Sequence, residues 1–160
     1  MKKLIFCCLV VLMGACKDKD KEVDPENNFA AEFVGNYYTL YIDGQILSEH
    51  TWDVERLDNN RLKIAYTQNR STTISGQNVP ILTQKWNLTN VTTTSGDQFS
   101  INETVDVEQS SGAALKQKVV GVGTKVINAS GVQQINIEMA LTNTATGVEE
   151  KLPYLEFKKK

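Results

Sequence analysis

The 160 residues carry 17 Lys and Arg against 19 Asp and Glu, a net charge of −2, with one His and three Cys. That length gives room for one domain. The near-balanced charge supplies no basic face for nucleic acid, and so few His and Cys leave little material for a zinc site.

The chain opens Met1-Lys2-Lys3 and continues as an apolar run from Leu4 to Ala15. A positive start, a short apolar stretch and small residues at its end make the layout of a secretory signal. The 12 residues between Lys3 and Cys16 would make about 18 Å of helix. A bilayer core is about 30 Å thick, so this segment is too short to be a stable transmembrane anchor.

Met13-Gly14-Ala15-Cys16 resembles the bacterial lipobox, in which an apolar residue and two small ones precede a cysteine. The resemblance implies a signal peptide over residues 1–15, cleavage before Cys16, and diacylglycerol on its thiol. Cys7 and Cys8 would leave with the signal, so the mature domain would hold no free thiol and form no disulfide. Loss of Lys2 and Lys3 leaves 15 basic residues against 19 acidic ones, a charge near −4. The expected domain of about 130 residues must then be held by its own core, and that size suffices.

Residues 16–28 are charged, broken by Pro25 and almost free of apolar side chains, so they read as a flexible tether. This acidic and lysine-rich stretch directly after the cysteine resembles the surface-export signals of Bacteroidota lipoproteins, with Lys and Asp alternating where those run several acids together. That resemblance implies attachment to the outer membrane and display on the cell surface. Asp18, Asp20, Glu22 and Asp24 alternate like calcium ligands but lack the glycine and the terminal bidentate glutamate of an EF-hand.

From residue 29 to residue 160 the pattern has period two and no helical stretch, which points to a single all-β domain. Leu62, Ile64 and Tyr66 share one face; so do Trp86 and Leu88, and again Ile135, Ile137, Met139 and Leu141. Seven turn signals separate such stretches, among them Asp43-Gly44, Ser75-Gly76, Ser130-Gly131 and Thr146-Gly147. They predict an antiparallel up-and-down meander of about eight strands, the size at which a sheet closes into a small barrel. The alternative is an immunoglobulin-like β-sandwich, which needs a Greek-key crossover. Gly121 and Gly123 within a strand predict a bend or a close approach of another group to the backbone.

Phe33-Val34-Gly35-Asn36-Tyr37 resembles the Gly-x-aromatic start of lipocalin-like (calycin) barrels. Tyr37 stands where lipocalins carry Trp, and Lys158 is the nearest base towards the chain's end. The resemblance extends over the layout of residues 33–157 and implies a small apolar or amphipathic ligand inside the barrel.

No catalytic constellation emerges. Ser48, Glu49, His50 and Asp53 suggest a triad, but Asp53 falls on the opposite face from Ser48 and His50. Neither a nucleophile elbow nor an oxyanion-hole motif accompanies them. His50 therefore reads as a surface or barrel-mouth residue, and no enzyme activity, metal or cofactor is expected. Glu103 shares the parity of Phe99, Ile101, Val105 and Val107. It is either turned out by a bulge or a polar anchor inside a cavity. With Tyr37, His50, Trp52, Tyr66 and Trp86 it completes the candidate ligand-binding set.

Two functions follow as expectations. One is a lipid-anchored, non-catalytic module binding a small ligand in an aromatic-lined cavity. The other is an accessory module of an envelope complex, with a filled core and an exposed apolar patch. In both the membrane is reached through the N-terminal lipid, and nucleic acid is no partner.

Overall fold

The computed structural model describes residues 28–160. The signal, Cys16 and the tether as far as residue 27 lie outside the described residues. A 3-10 turn, Phe29–Phe33, leads into nine strands: β1 (Gly35–Asp43), β2 (Ile46–Arg56), β3 (Arg61–Ile74), β4 (Gln77–Thr93), β5 (Gln98–Gln109), β6 (Leu115–Ile127), β7 (Gln133–Asn143), β8 (Glu149–Lys151) and β9 (Leu155–Lys159).

Strands β1 to β7 pair in sequence, all antiparallel, and β9 pairs with both β7 and β1. The sheet thus closes on itself as an eight-stranded barrel, with no Greek-key crossover, and β8 is an extra strand on β7. The sandwich alternative is set aside. The extra strand has a local cause. Ile137 pairs with Leu155, while the Leu152 N–H donates to the Met139 carbonyl at 2.9 Å. Between these pairs Pro153 and Tyr154 face the single residue Glu138, which is a bulge. Pro153 occupies it, where a missing N–H costs no ladder bond.

The interior fills because inward positions are large and apolar. Phe33 seals the end at which the chain enters: its ring is fully buried and lies edge-on to Phe99, with centroids 5.3 Å apart. The Ala30 N–H donates to the Asn59 carbonyl at 2.9 Å, and Lys125 pairs with Glu32 at 2.8 Å across the seal. Above it, Trp52 stacks on Phe157 at 4.0 Å and Tyr66 on Trp86 at 4.5 Å.

Tyr37 is fully buried beside the seal, donating its hydroxyl proton to the Phe33 carbonyl at 2.9 Å and accepting from Gln133 at 2.7 Å. The base over its ring is Lys159, 5.8 Å from the centroid; Lys158, the base the sequence suggested, is exposed. The reason is parity, since Leu155, Phe157 and Lys159 share the inner side of β9. A side chain at Gly35 would collide with Lys159, and its φ of 144° also favours glycine.

Gly121 and Gly123 serve close approach, as expected. A Cβ at Gly123 would stand 2.3 Å from the Phe99 ring, whose whole outer edge rests on this backbone. Gly123→Ala should therefore destabilise the protein by about 1–3 kcal/mol through overpacking. Urea unfolding measures this.

Candidate functional site

The hairpins 43–46, 74–77, 109–115 and 143–149 gather at the barrel's other end, opposite the Phe33 seal. Here the closed wall comes apart. β1 pairs with β9 only at Tyr37 and Tyr38. Beyond them β1 stays with β2 while β9 and β8 stay with β7. The opening is a cleft of about 410 Å³ lined by Tyr41, Asp43, Ile46, Ser48, His50, Gln68, Arg70 and residues 150–153.

The inner layer beneath the cleft is polar. Ser48, His50, Gln68, Gln84 and Gln117 are all buried. His50 and Gln68 are direct cross-strand partners on β2 and β3, so their Cβ atoms lie about 5 Å apart. His50 Nδ1 is 2.7 Å from the Tyr66 hydroxyl. Its Nε2 has no hydrogen-bond partner, and neither has Gln68 Oε1.

A hydrogen-bond count selects the tautomer. With the Tyr66 hydroxyl donating to Nδ1, only the Nε2–H is left unmatched. The reverse assignment strands both the Tyr66 proton and the Nε2 lone pair, and each unmatched buried group is costly. Two buried polar atoms thus stand unmatched beneath the cleft, a donor at His50 Nε2–H and an acceptor at Gln68 Oε1, both shut off from solvent.

Burial, and secondarily the nearby Arg70 guanidinium, push the His50 pKa down to about 4, so the ring is neutral at pH 7. Burial also raises the Tyr66 phenol well above its ordinary value. Arg70 on β3 reaches across the cleft to Glu150 on β8 at 2.9 Å. Both partners are substantially exposed, so this strap contributes at most about 1 kcal/mol.

The candidate residues separate on this geometry. His50 lines the cleft, and Tyr66 reaches it only through the His50 bond. Tyr37, Trp52, Tyr66 and Trp86 are each at most 1 % exposed and line none of it; they belong to the buried core of the barrel. Trp86 is held by donating to Gln117 at 2.8 Å. Glu103 is not in the cleft either. Between the pairs Trp86–Val107 and Val91–Ile101 the β4–β5 register slips. Glu103 sits half-buried at that break, on the same side of β5 as Phe99, Ile101, Val105 and Val107, and accepts the Asn90 backbone N–H at 3.1 Å. The sequence reading missed Gln68 and Arg70, although Gln68 continues the inward parity of Leu62, Ile64 and Tyr66 on β3.

Around the opening four isoleucines stand exposed among polar turn residues: Ile42, Ile74, Ile81 and Ile46 are 69, 57, 48 and 42 % exposed. A larger outer groove of about 700 Å³ runs over Val120, Val122, Leu152 and Tyr154. It gathers no unpaired buried polar atom, so the mouth is the stronger site. Among the described residues no cluster of three His, Cys, Asp or Glu side chains is placed to hold a metal ion, and no helix is long and apolar enough to cross a membrane.

No family model, curated protein or solved structure matches this chain.

Proposed function

We propose that this protein is a lipid-anchored, non-catalytic interaction module of the bacterial outer membrane, docking another envelope protein at the open end of a filled, lipocalin-like barrel. The observation that carries this reading is the contrast between the two surfaces of the barrel wall. The inside is occupied by stacked aromatics at most 1 % exposed, while isoleucines stand out around the mouth. Apolar groups clustered on a surface mark interaction sites. The lipobox-like Met13-Gly14-Ala15-Cys16 supports the anchor. The chain enters at the sealed end, so a tether leading to Cys16 leaves the mouth facing away from the membrane.

Two experiments test the reading. Cys16→Ala should move the protein from the membrane fraction to the soluble one; continued membrane association would refute the anchor. A photo-crosslinking amino acid at Ile42 or Ile81 should capture one common envelope protein in intact cells, and the same group at Lys63 on the barrel wall should not. Equal capture at all three positions would refute docking at the mouth.

The second reading is a small-molecule site, favoured by the unmatched, buried His50 Nε2–H and Gln68 Oε1 of two residues that line a 410 Å³ cleft. It requires a ligand offering both an acceptor and a donor, such as a hydroxyl or an amide. Native mass spectrometry of residues 24–160 decides between the two: a retained small-ligand mass supports this one, a clean apo mass the first.

A further inference from the structure

The split in the barrel wall exposes backbone as well as side chains. Lys160 N–H donates to the Asn36 carbonyl at 2.9 Å, and Tyr38 is the last residue of β1 paired with β9. In an antiparallel strand alternate residues direct both N–H and C=O to the same side. Asn36 and Tyr38 turn these groups towards β9, so Leu40 and Ile42 turn theirs the same way. There they meet the cleft, and no described residue supplies them a backbone partner.

The opposite wall is built likewise. Leu152 N–H points to β7, which by the same alternation directs the backbone groups of Glu149 and Lys151 into the gap. Two strand edges thus face one another across a cleft that neither fills. Native proteins cover or pair such edges, because a free edge is a template for another strand.

We propose that the mouth captures its partner by strand addition: an extended peptide segment of an envelope protein pairs with the β1 edge at Leu40 and Ile42 and lies in the gap before β8. This rests on the interaction-module reading above and specifies its chemistry. Main-chain pairing gives affinity in this recognition mode, and pockets for alternate side chains give specificity.

The surroundings state what those side chains are. An added strand directs every second residue outward beside Leu40 and Ile42, which are 56 and 69 % exposed, so these are aliphatic. The intervening residue points inward over Ser48, His50 and Gln68, whose side chains line the cleft. It carries an uncharged group that both donates and accepts: Asn, Gln, Ser or Thr. Asp43 at the cleft's lip is in no ion pair with another described residue, which favours a basic residue at the segment's end. The free run of β1, residues 39–43, is about 16 Å long and takes a segment of about five residues.

The test uses the chain without its signal and the peptide acetyl-Val-Asn-Val-Thr-Val-Lys-amide. In the free protein the Leu40 and Ile42 amides should exchange with deuterium as open groups. With peptide at about 1 mM their exchange should slow at least tenfold, while Asp53 and Lys63 on the wall are unchanged. A peptide N-methylated at alternate residues should lose the effect. Unaltered exchange at Leu40 and Ile42, or equal protection by the N-methylated peptide, overturns strand addition.

The double variant Leu40→Pro, Ile42→Pro removes, along with the two side chains, backbone donors that face the gap, a place where an edge strand tolerates proline. If it folds by circular dichroism, it should abolish crosslinking from Ile81. Persistent crosslinking in this variant refutes strand addition and leaves the docking reading standing. If instead the wild-type chain gives no mouth-specific crosslink, the docking reading itself fails. Should the variant not fold, the exchange experiment on the unaltered chain decides alone.

Discussion

Trp52→Ala should destabilise this protein by about 3–5 kcal/mol, the range for deleting a large buried aromatic. Trp52 sits at the crossing point of the interior, 1 % exposed, stacked on Phe157 at 4.0 Å and within 6.1 Å of both Tyr66 and Phe99. Its removal leaves a hole bounded by rings that cannot collapse inward, because the backbone ladders of β2, β3 and β9 hold them apart. Trp52→Phe should lose much less. It keeps a ring on Phe157 and deletes the indole N–H, which is buried without a partner. Chemical unfolding of the three proteins checks the order. A phenylalanine variant as unstable as the alanine one would mean that the indole N–H is paired after all. The comparison also bears on function: a filled barrel must lose stability when its filler is cut away, whereas a cavity wall would lose far less.

Alternation was sufficient to read the strands that matter. Leu62, Ile64, Tyr66, Trp86, Leu88, Ile135 and Ile137 are all buried because a strand in a closed wall has one side towards the core, and period two states which. The barrel was legible for a related reason: turn signals at short intervals imply consecutive hairpins, and consecutive hairpins close without crossovers. What the barrel holds was not legible. Tyr37, Trp52, Tyr66 and Trp86 point inward under either a cavity or a packed core, and only their mutual distances decide. Nor was the mouth. Arg70 and Glu150 are 80 positions apart and meet only because β9 closes the ring. The free edge of β1 depends on where β9 diverges from it, and the bulge at Pro153 sets the register of β8 there. Glu103 keeps the parity of β5; the slip lies in β4, where the buried side passes from Trp86 and Leu88 to Val91 and Thr93.

Lowering the pH from 7 towards 4 should remove about 3 kcal/mol of stability through His50 alone. The unfolded ring titrates near 6.5, while burial first and Arg70 second hold the folded one at about 4. Above pH 6.5 both states are neutral and His50 contributes no pH dependence. Between 6.5 and 4 the unfolded state binds a proton that the folded state refuses, so stability falls by about 1.4 kcal/mol per pH unit. Below 4 both are charged and this contribution levels off. In His50→Gln the component is absent, so its stability should decline less steeply over that interval than the parent's, whatever the exposed carboxylates add to both. An NMR titration of the folded ring with a midpoint near 6.5 would contradict the assignment. The same number constrains recognition at the mouth. An imidazole that stays neutral to about pH 4 is a fixed hydrogen-bond donor and not a cation across the whole range from 7 to 5. A partner that reads His50 should therefore bind with unchanged affinity over that range, and a gain in affinity on acidification would mean that the ring accepts a proton when the complex forms.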